Sequence, residues 1–237
     1  HCPYWPNEAK EWIIRQRTRI VVSQSVIRQV ISYGCDFVRR SHMLRNQDFS
    51  ASGNKGEWRF SFSAAELIII KHWTKNQRIV YRTLRLVSKS ICQDRPDTIL
   101  RTYYFKTLML WACEQRPKEF WDSSHLVNAV RMLLLEMAEL VNGRACPNYF
   151  IPLNNMIDHL VDTDVSVDVA DLQQVADSFE HIYRIIILST SQESLTISWS
   201  IEAPKWIHNY LLKAAWMIGQ TYLPTPISAP ELVLADK

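Results

Sequence analysis

The sequence predicts a mainly α protein, a helical bundle with one short extended segment near residues 58–62. Three observations carry that expectation. Apolar residues recur at helical spacing, most clearly at Val127, Val130, Leu134, Met137 and Val141, a three-to-four-residue period that lines up side chains on one helix face. Residues that end helices punctuate the chain at Gly34, Pro117 and Gly143. Trp58, Phe60 and Phe62 instead alternate with Arg59, Ser61 and Ser63, the two-residue period of a strand.

Residues 1–22 hold Pro3, Pro6 and several aromatics, then Arg15, Arg17 and Arg19. They read as an extended segment laid over a larger body. Residues 24–33 (QSVIRQVISY) put Val26, Val30 and Ile31 on one helical face, with Gly34 as a natural stop. Residues 41–57 are polar and include Gly53, Asn54 and Gly56, so a loop is expected. Residues 1–57 together form a basic lead-in. Ser63 and Glu66 have the spacing of a capping box, in which the hydroxyl accepts from a backbone N–H and the carboxylate reaches back. A long helix is expected from about Ala64 to about Ile91. A second should run from about Thr98 to about Glu114, stopped by Pro117. A third should run from about Ser123 to Asn142, with Asp122 as its cap and Gly143 as its terminator. After CPNYFIP (146–152) the chain turns acidic. Residues 169–189 and 202–219 each read as one more helix within an additional acidic region, 161–220. Residues 221–237, with Pro224, Pro226 and Pro230, read as a disordered tail.

The 237 residues carry a formal net charge of +3, and that near-balance hides a split. Residues 1–118 have 21 Lys/Arg against 9 Asp/Glu, a balance of +12, and residues 119–237 have 6 against 15, a balance of −9. Five glycines and no G-x-G exclude a Gly-rich phosphate loop. A hydrophobic content of 47% is ample for a packed core. No apolar run approaches the roughly 20 residues that span a bilayer, so no membrane partner is expected. The five scattered cysteines lack a C-x-x-C pair. That pattern suits reduced thiols of an intracellular protein, cytoplasmic or nuclear, better than a disulfide framework or a zinc knuckle. The chain opens on His1 with no leader behind it and reads as a fragment.

Four landmarks occur in order: WRFSFSAAE (58–66), YRTLRL (81–86), TYYFKTLMLWACE (102–114) and NYFIP (148–152). This order resembles the Mab-21 family of nucleotidyltransferase-like proteins, which includes cyclic GMP-AMP synthase and its animal relatives. The resemblance covers roughly residues 1–160. It implies the family's C-terminal helical lobe, a helix-hairpin-helix-like bundle placed here at residues 58–160. In active members a preceding nucleotidyltransferase lobe supplies a Gly-Ser loop and carboxylates for two magnesium ions, one activating the attacking hydroxyl and one neutralising the leaving pyrophosphate. This chain has no Gly-Ser pair. The resemblance therefore implies half of a nucleotide-binding cleft, inactive alone, whose partner is a missing N-terminal nucleotidyltransferase lobe. No cofactor is implied in this chain itself; magnesium with ATP or GTP is implied only if that lobe is present and active.

The resemblance also implies site residues. Arg59, Ser61, Ser63 and Glu66 match positions that line the base pocket: an arginine plane can stack on a base and a carboxylate can accept from a guanine edge. Arg82 and Arg85, three apart on one helix, match lysines that hold a triphosphate, and arginine can do this bidentately. Thr102 and Tyr103 match a Ser-Tyr pair, the tyrosine stacking on a base. Each has a plainer alternative: a capping box for Ser63 and Glu66, a solvated basic face for the two arginines, a cleft-wall tyrosine for Tyr103. Lys106 and Thr107 read as structural, and Trp111, Tyr149, Phe150 and Pro152 as core. The zinc-binding loop of cyclic GMP-AMP synthase has no counterpart, because only His72 lies between Ser63 and Arg82, with no cysteine. Asp162 and Asp164 mimic a metal-binding D-x-D but follow the helical lobe, and read as a solvated or capping pair. Two further functions stay open: a non-catalytic developmental or scaffold member of the family, and a module binding nucleic acid through its basic half.

Overall fold

The computed structural model describes residues 1–17, 22–39, 58–160 and 163–191. The expected loop at 41–57, the helix at 202–219, the tail at 221–237, Arg19 and Asp162 lie outside these residues. Among the described residues are eight α-helices and one two-stranded sheet, the mainly α architecture expected.

Part of the N-terminal segment, residues 7–14, is helical rather than extended. A 3-10 turn over Asn7–Ala9 leads into α1, Lys10–Ile14, and Trp12 and Ala9 are fully buried. Burying an indole is worth more than keeping the chain extended over a surface. Helix α2, Gln24–Tyr33, starts on Ser23, whose hydroxyl accepts from the Val26 N–H. It buries Val26, Ile27 and Val30, with Ile31 half-buried, and ends at Gly34.

Strand β1, Asp36–Arg39, pairs antiparallel with β2, Trp58–Ser61, in the register Asp36↔Ser61 and Phe37↔Phe60. The extended segment was legible; its four-residue partner was too short to show an alternation of its own. The Phe37 and Phe60 rings lie 5.1 Å apart across the pair.

The expected helix over 64–91 is two helices, α3 at Ser63–Ile70 and α4 at Lys75–Asp94. The chain tightens through bonds from the His72 and Trp73 N–H groups to the Ile69 and Ile70 carbonyls, 2.9 and 3.1 Å. The break turns the Trp73 ring inward, 2% exposed, edge-on to Tyr81. A capping box does occur, but at α4: Thr74 Oγ1 accepts from the Gln77 N–H at 3.2 Å, and Gln77 Oε1 accepts from the Thr74 N–H at 2.8 Å. At α3 the expected box is not formed. Phe62 occupies the cap position, its ring stacked on Phe150 at 4.6 Å, and Ser63 is already helical.

Helix α5, Thr102–Gln115, starts four residues later than expected because Thr98 is buried, with its hydroxyl donated to Asp168. Helix α6, Leu126–Asn142, follows a 3-10 turn at Ser123–His125. Asp122 makes no side-chain cap; its backbone carbonyl accepts from the His125 N–H instead. Along α6 the expected stripe is buried except Val127, which is half-buried. Ala129, Leu133 and Ala138 widen it, because this helix meets α4, α7 and α8 together. At its end the left-handed residue is Arg144, φ +51°, not Gly143. The Arg144 side chain donates to the carbonyls of Leu160 and Thr163, which holds a conformation that few non-glycine residues adopt.

The segment expected as one helix over 169–189 is α7, Ser166–Asp177, and α8, Phe179–Ser191, broken at Ser178. The break lets α8 return against α4 and α6, where the Ser189 and Thr83 hydroxyls meet at 3.1 Å in the buried interior. Asp164 serves the start of α7: its carboxylate accepts from the Ser166 N–H at 2.9 Å, which lowers its pKa.

Candidate functional site

Three helix segments converge on Glu66. It lies in the first turn of α3, its side chain 4% exposed, and its carboxylate is paired with Lys106 Nζ from α5. An isolated carboxylate at that depth would be strongly disfavoured, and Lys106 supplies the opposite charge beside it. Lys106 also sits 5.0 Å from the centre of the Tyr103 ring, one turn back along α5. The Tyr103 hydroxyl accepts from Asn148 Nδ2 at 3.2 Å. Its pKa is pushed up to about 12, first by burial of the hydroxyl and then by Glu66, while Arg59 pulls the other way. The residue nevertheless keeps 39% of its surface open. Tyr103 therefore combines an anchored hydroxyl with accessible surface.

Tyr81 on α4 extends the cluster. Burial raises its pKa, with a smaller push from Glu66 and an opposing pull from Arg85. The Arg85 guanidinium lies 5.9 Å from the Tyr81 ring centre. Arg85 and Tyr81 on α4 are thus coupled electrostatically to Glu66 on α3, which pairs with Lys106 beside Tyr103 on α5. On β2, Arg59 is exposed and within electrostatic reach of Tyr103. The Ser61 and Ser63 hydroxyls are 3.2 Å apart where β2 turns into α3.

The structure therefore brings Arg59, Glu66, Arg85 and Tyr103 into one electrostatic neighbourhood, with Ser61 and Ser63 at the strand-helix junction beside Glu66. Thr102 is half-buried as the first residue of α5. Arg82 points elsewhere: it donates to the Ser189 carbonyl in the last turn of α8 at 3.4 Å, the end of a helix that attracts a cation. Three contributors were not singled out from sequence. Lys106 was read as structural, although its four-residue spacing to Thr102 on α5 was the available signal. Asn148 lies in a run read as core. Tyr81 opens the YRTLRL landmark, but its role depends on how α4 packs and so is not legible there.

A second charged constellation lies under the N-terminal segment. Glu114, 4% exposed, accepts from Arg15 at 3.3 Å, from Arg17 at 3.2 Å and from the Tyr149 hydroxyl at 2.6 Å. Arg15 also donates to the Tyr149 carbonyl and stacks over Trp111. These two arginines, part of the basic half, are interior ion-pair partners. A shallow groove of about 460 Å³ beside them is lined by Glu11, Arg15, Trp111 and Leu153 among others, none of which belongs to the Tyr103 cluster. Among the described residues, no three His, Cys, Asp or Glu side chains are grouped to hold a metal ion, and no helix is long and apolar enough to cross a membrane.

Residues 76–174 match the family model described as the Mab-21 protein HhH/H2TH-like domain. The chain is similar to the Protein mab-21-like of Drosophila melanogaster, 25% identical over 156 residues, covering 64% of this chain and 41% of that protein. It is 27% identical to the Protein mab-21-like of Aedes aegypti over 153 residues, 62% of this chain and 39% of that one. The Anopheles gambiae protein of the same name is 25% identical over 153 residues. The chain thus matches about two fifths of the length of these curated relatives.

Proposed function

We propose that this chain, which matches the Mab-21 HhH/H2TH-like domain over residues 76–174, carries the C-terminal domain of a Mab-21-type protein and forms one wall of a nucleotide-binding cleft, completed by a nucleotidyltransferase-like lobe. The observation that carries the reading is Tyr103, partly exposed and held by Asn148 and Lys106, with Glu66 and Arg59 in its electrostatic neighbourhood. A base stacked on Tyr103 would have Arg59 for an in-plane or stacking contact and Ser61 and Ser63 for hydrogen bonds. Arg85 would face the phosphates. Arg82, tied to α8, would contribute less. Magnesium and the transfer chemistry would come from the other lobe, so the chain alone binds without turnover.

The test is saturation-transfer NMR of residues 1–237 with ATP and with GTP. The wild type should show nucleotide contact that Tyr103→Ala and Arg59→Ala each remove, and magnesium with both nucleotides should yield no cyclic dinucleotide. Equal contact in the wild type and both variants would sink the reading.

One observation favours a non-catalytic scaffold role instead. Glu66 and Lys106 satisfy each other as an ion pair, as a purely structural pair would. Absence of nucleotide contact in the wild type would favour that role.

A further inference from the structure

Cys2 and Cys35 lie directly opposite each other in an antiparallel bridge outside the main sheet. Each donates its N–H to the other's carbonyl, at 2.7 and 2.9 Å. Such a hydrogen-bonded pair has its Cα atoms about 5.5 Å apart, inside the roughly 4.4–6.8 Å range that a disulfide spans. The side chains turn the same way: both Sγ atoms approach the Tyr4 carbonyl, at 3.6 and 3.9 Å. Gly34 enforces the approach. Its φ is +81°, and a Cβ there would stand 2.1 Å from the Cys2 carbonyl oxygen, so only glycine lets the two backbones close.

We propose that Cys2 and Cys35 form a reversible dithiol–disulfide pair that locks the N-terminal segment to the start of β1. Access sets the order of events. Cys2 is half-exposed and Cys35 is 1% exposed, and burial followed by the Cys2 neighbour raises the Cys35 pKa. The oxidant is a low-molecular-weight disulfide. The Cys2 thiolate attacks one of its sulfurs and expels one thiolate, leaving a mixed disulfide on Cys2. The Cys35 thiolate then attacks the Cys2 sulfur and expels the second. The two cysteine protons pass to the two released thiols, so the protein pair is oxidised and the small disulfide is reduced. The other three cysteines have no such neighbour: Cys113 and Cys146 are buried, and Cys92 donates to the Leu100 carbonyl.

The lock would act on more than the chain end. Asp36, next to Cys35, pairs with Ser61 across the sheet and takes a bond from His1 at 2.9 Å. Trp5, three residues after Cys2, packs on Trp12, Phe62 and Phe150. Oxidation would therefore stiffen the strand pair that carries Arg59. The proposal stands whether or not a nucleotide binds there.

The test is incubation of the full 237-residue chain with oxidised glutathione, then alkylation, tryptic digestion and mass spectrometry without reductant. One linked product of peptides 1–10 and 29–39 is expected, abolished by dithiothreitol. Cys35→Ser should leave Cys2 carrying glutathione. Should that variant fail to fold, Cys2→Ser at the half-exposed position should leave Cys35 open to alkylation after unfolding. The oxidised wild type should unfold roughly 5–10 °C higher, reversibly. Separate glutathione adducts on Cys2 and Cys35, a link from Cys2 to another cysteine, or an unchanged unfolding temperature would overturn the proposal.

Discussion

Glu114 receives two guanidinium groups and a phenol in a site closed to water. Removing the carboxylate takes the Glu114 charge away from two buried cations, of which Arg15 keeps its pairing with Glu11 at 3.0 Å; deleting one partner of a buried pair costs about 3–5 kcal/mol. Glu114→Ala should therefore be among the most destabilising single changes, with Glu114→Gln milder because the amide oxygen still accepts. Urea unfolding followed by tryptophan fluorescence checks both, and near-wild-type stability in the alanine variant would show that the N-terminal segment docks without this network. The same site shows why charge could not be read from composition alone. Arg15 and Arg17 counted toward a basic surface, yet each is under a tenth exposed. Their burial depends on Glu114, about a hundred residues away, and on Trp12 and Trp111, over which they stack.

At the scale of elements, α4 stands on its cap. Thr74 and Gln77 satisfy two backbone N–H groups that a helix start otherwise leaves to water, while Trp73 closes the turn before them. Thr74→Ala should cost about 1 kcal/mol and Thr74→Ser much less, measured as the shift in denaturation midpoint. Equal losses in the two variants would mean that the methyl group matters more than the hydroxyl. Most helices in the described residues were legible; the starts of α4, α5, α6 and α8 were not. Ser63 and Glu66 have capping-box spacing, but Phe62 is drawn to Phe150 and Glu66 to Lys106. Thr98 could have opened α5 but is held by Asp168 of α7. In each case a distant partner outweighs a local preference worth only about 1 kcal/mol.

For the whole molecule, the buried tyrosines and cysteines tie stability to pH. Cys146, ordinarily at 9.0, is pushed up to about 12 by burial, and Tyr103, ordinarily at 10.0, also to about 12. Between those limits the unfolded chain releases protons that the folded chain still holds, so stability is complete below about pH 9 and falls as pH rises toward 12. The unfolding temperature should drop steadily over that interval, and Tyr103→Phe should flatten the upper part of the drop. A flat profile for the wild type would show that these groups titrate as freely when folded as when unfolded. At this scale, too, the division of labour between sequence and structure is clear. The order WRFSFSAAE, YRTLRL, TYYFKT and NYFIP was enough to point to the family whose model matches residues 76–174, and the 3.6-residue stripes were enough for a helical bundle, because both are written in residue type and local spacing. Only the tertiary structure decided that Arg85 joins the Tyr103 cluster while Arg82 turns to α8, that Lys106 neutralises Glu66, and that Cys2 meets Cys35. Those outcomes depend on which helix faces which, and packing of distant segments leaves no period in the chain.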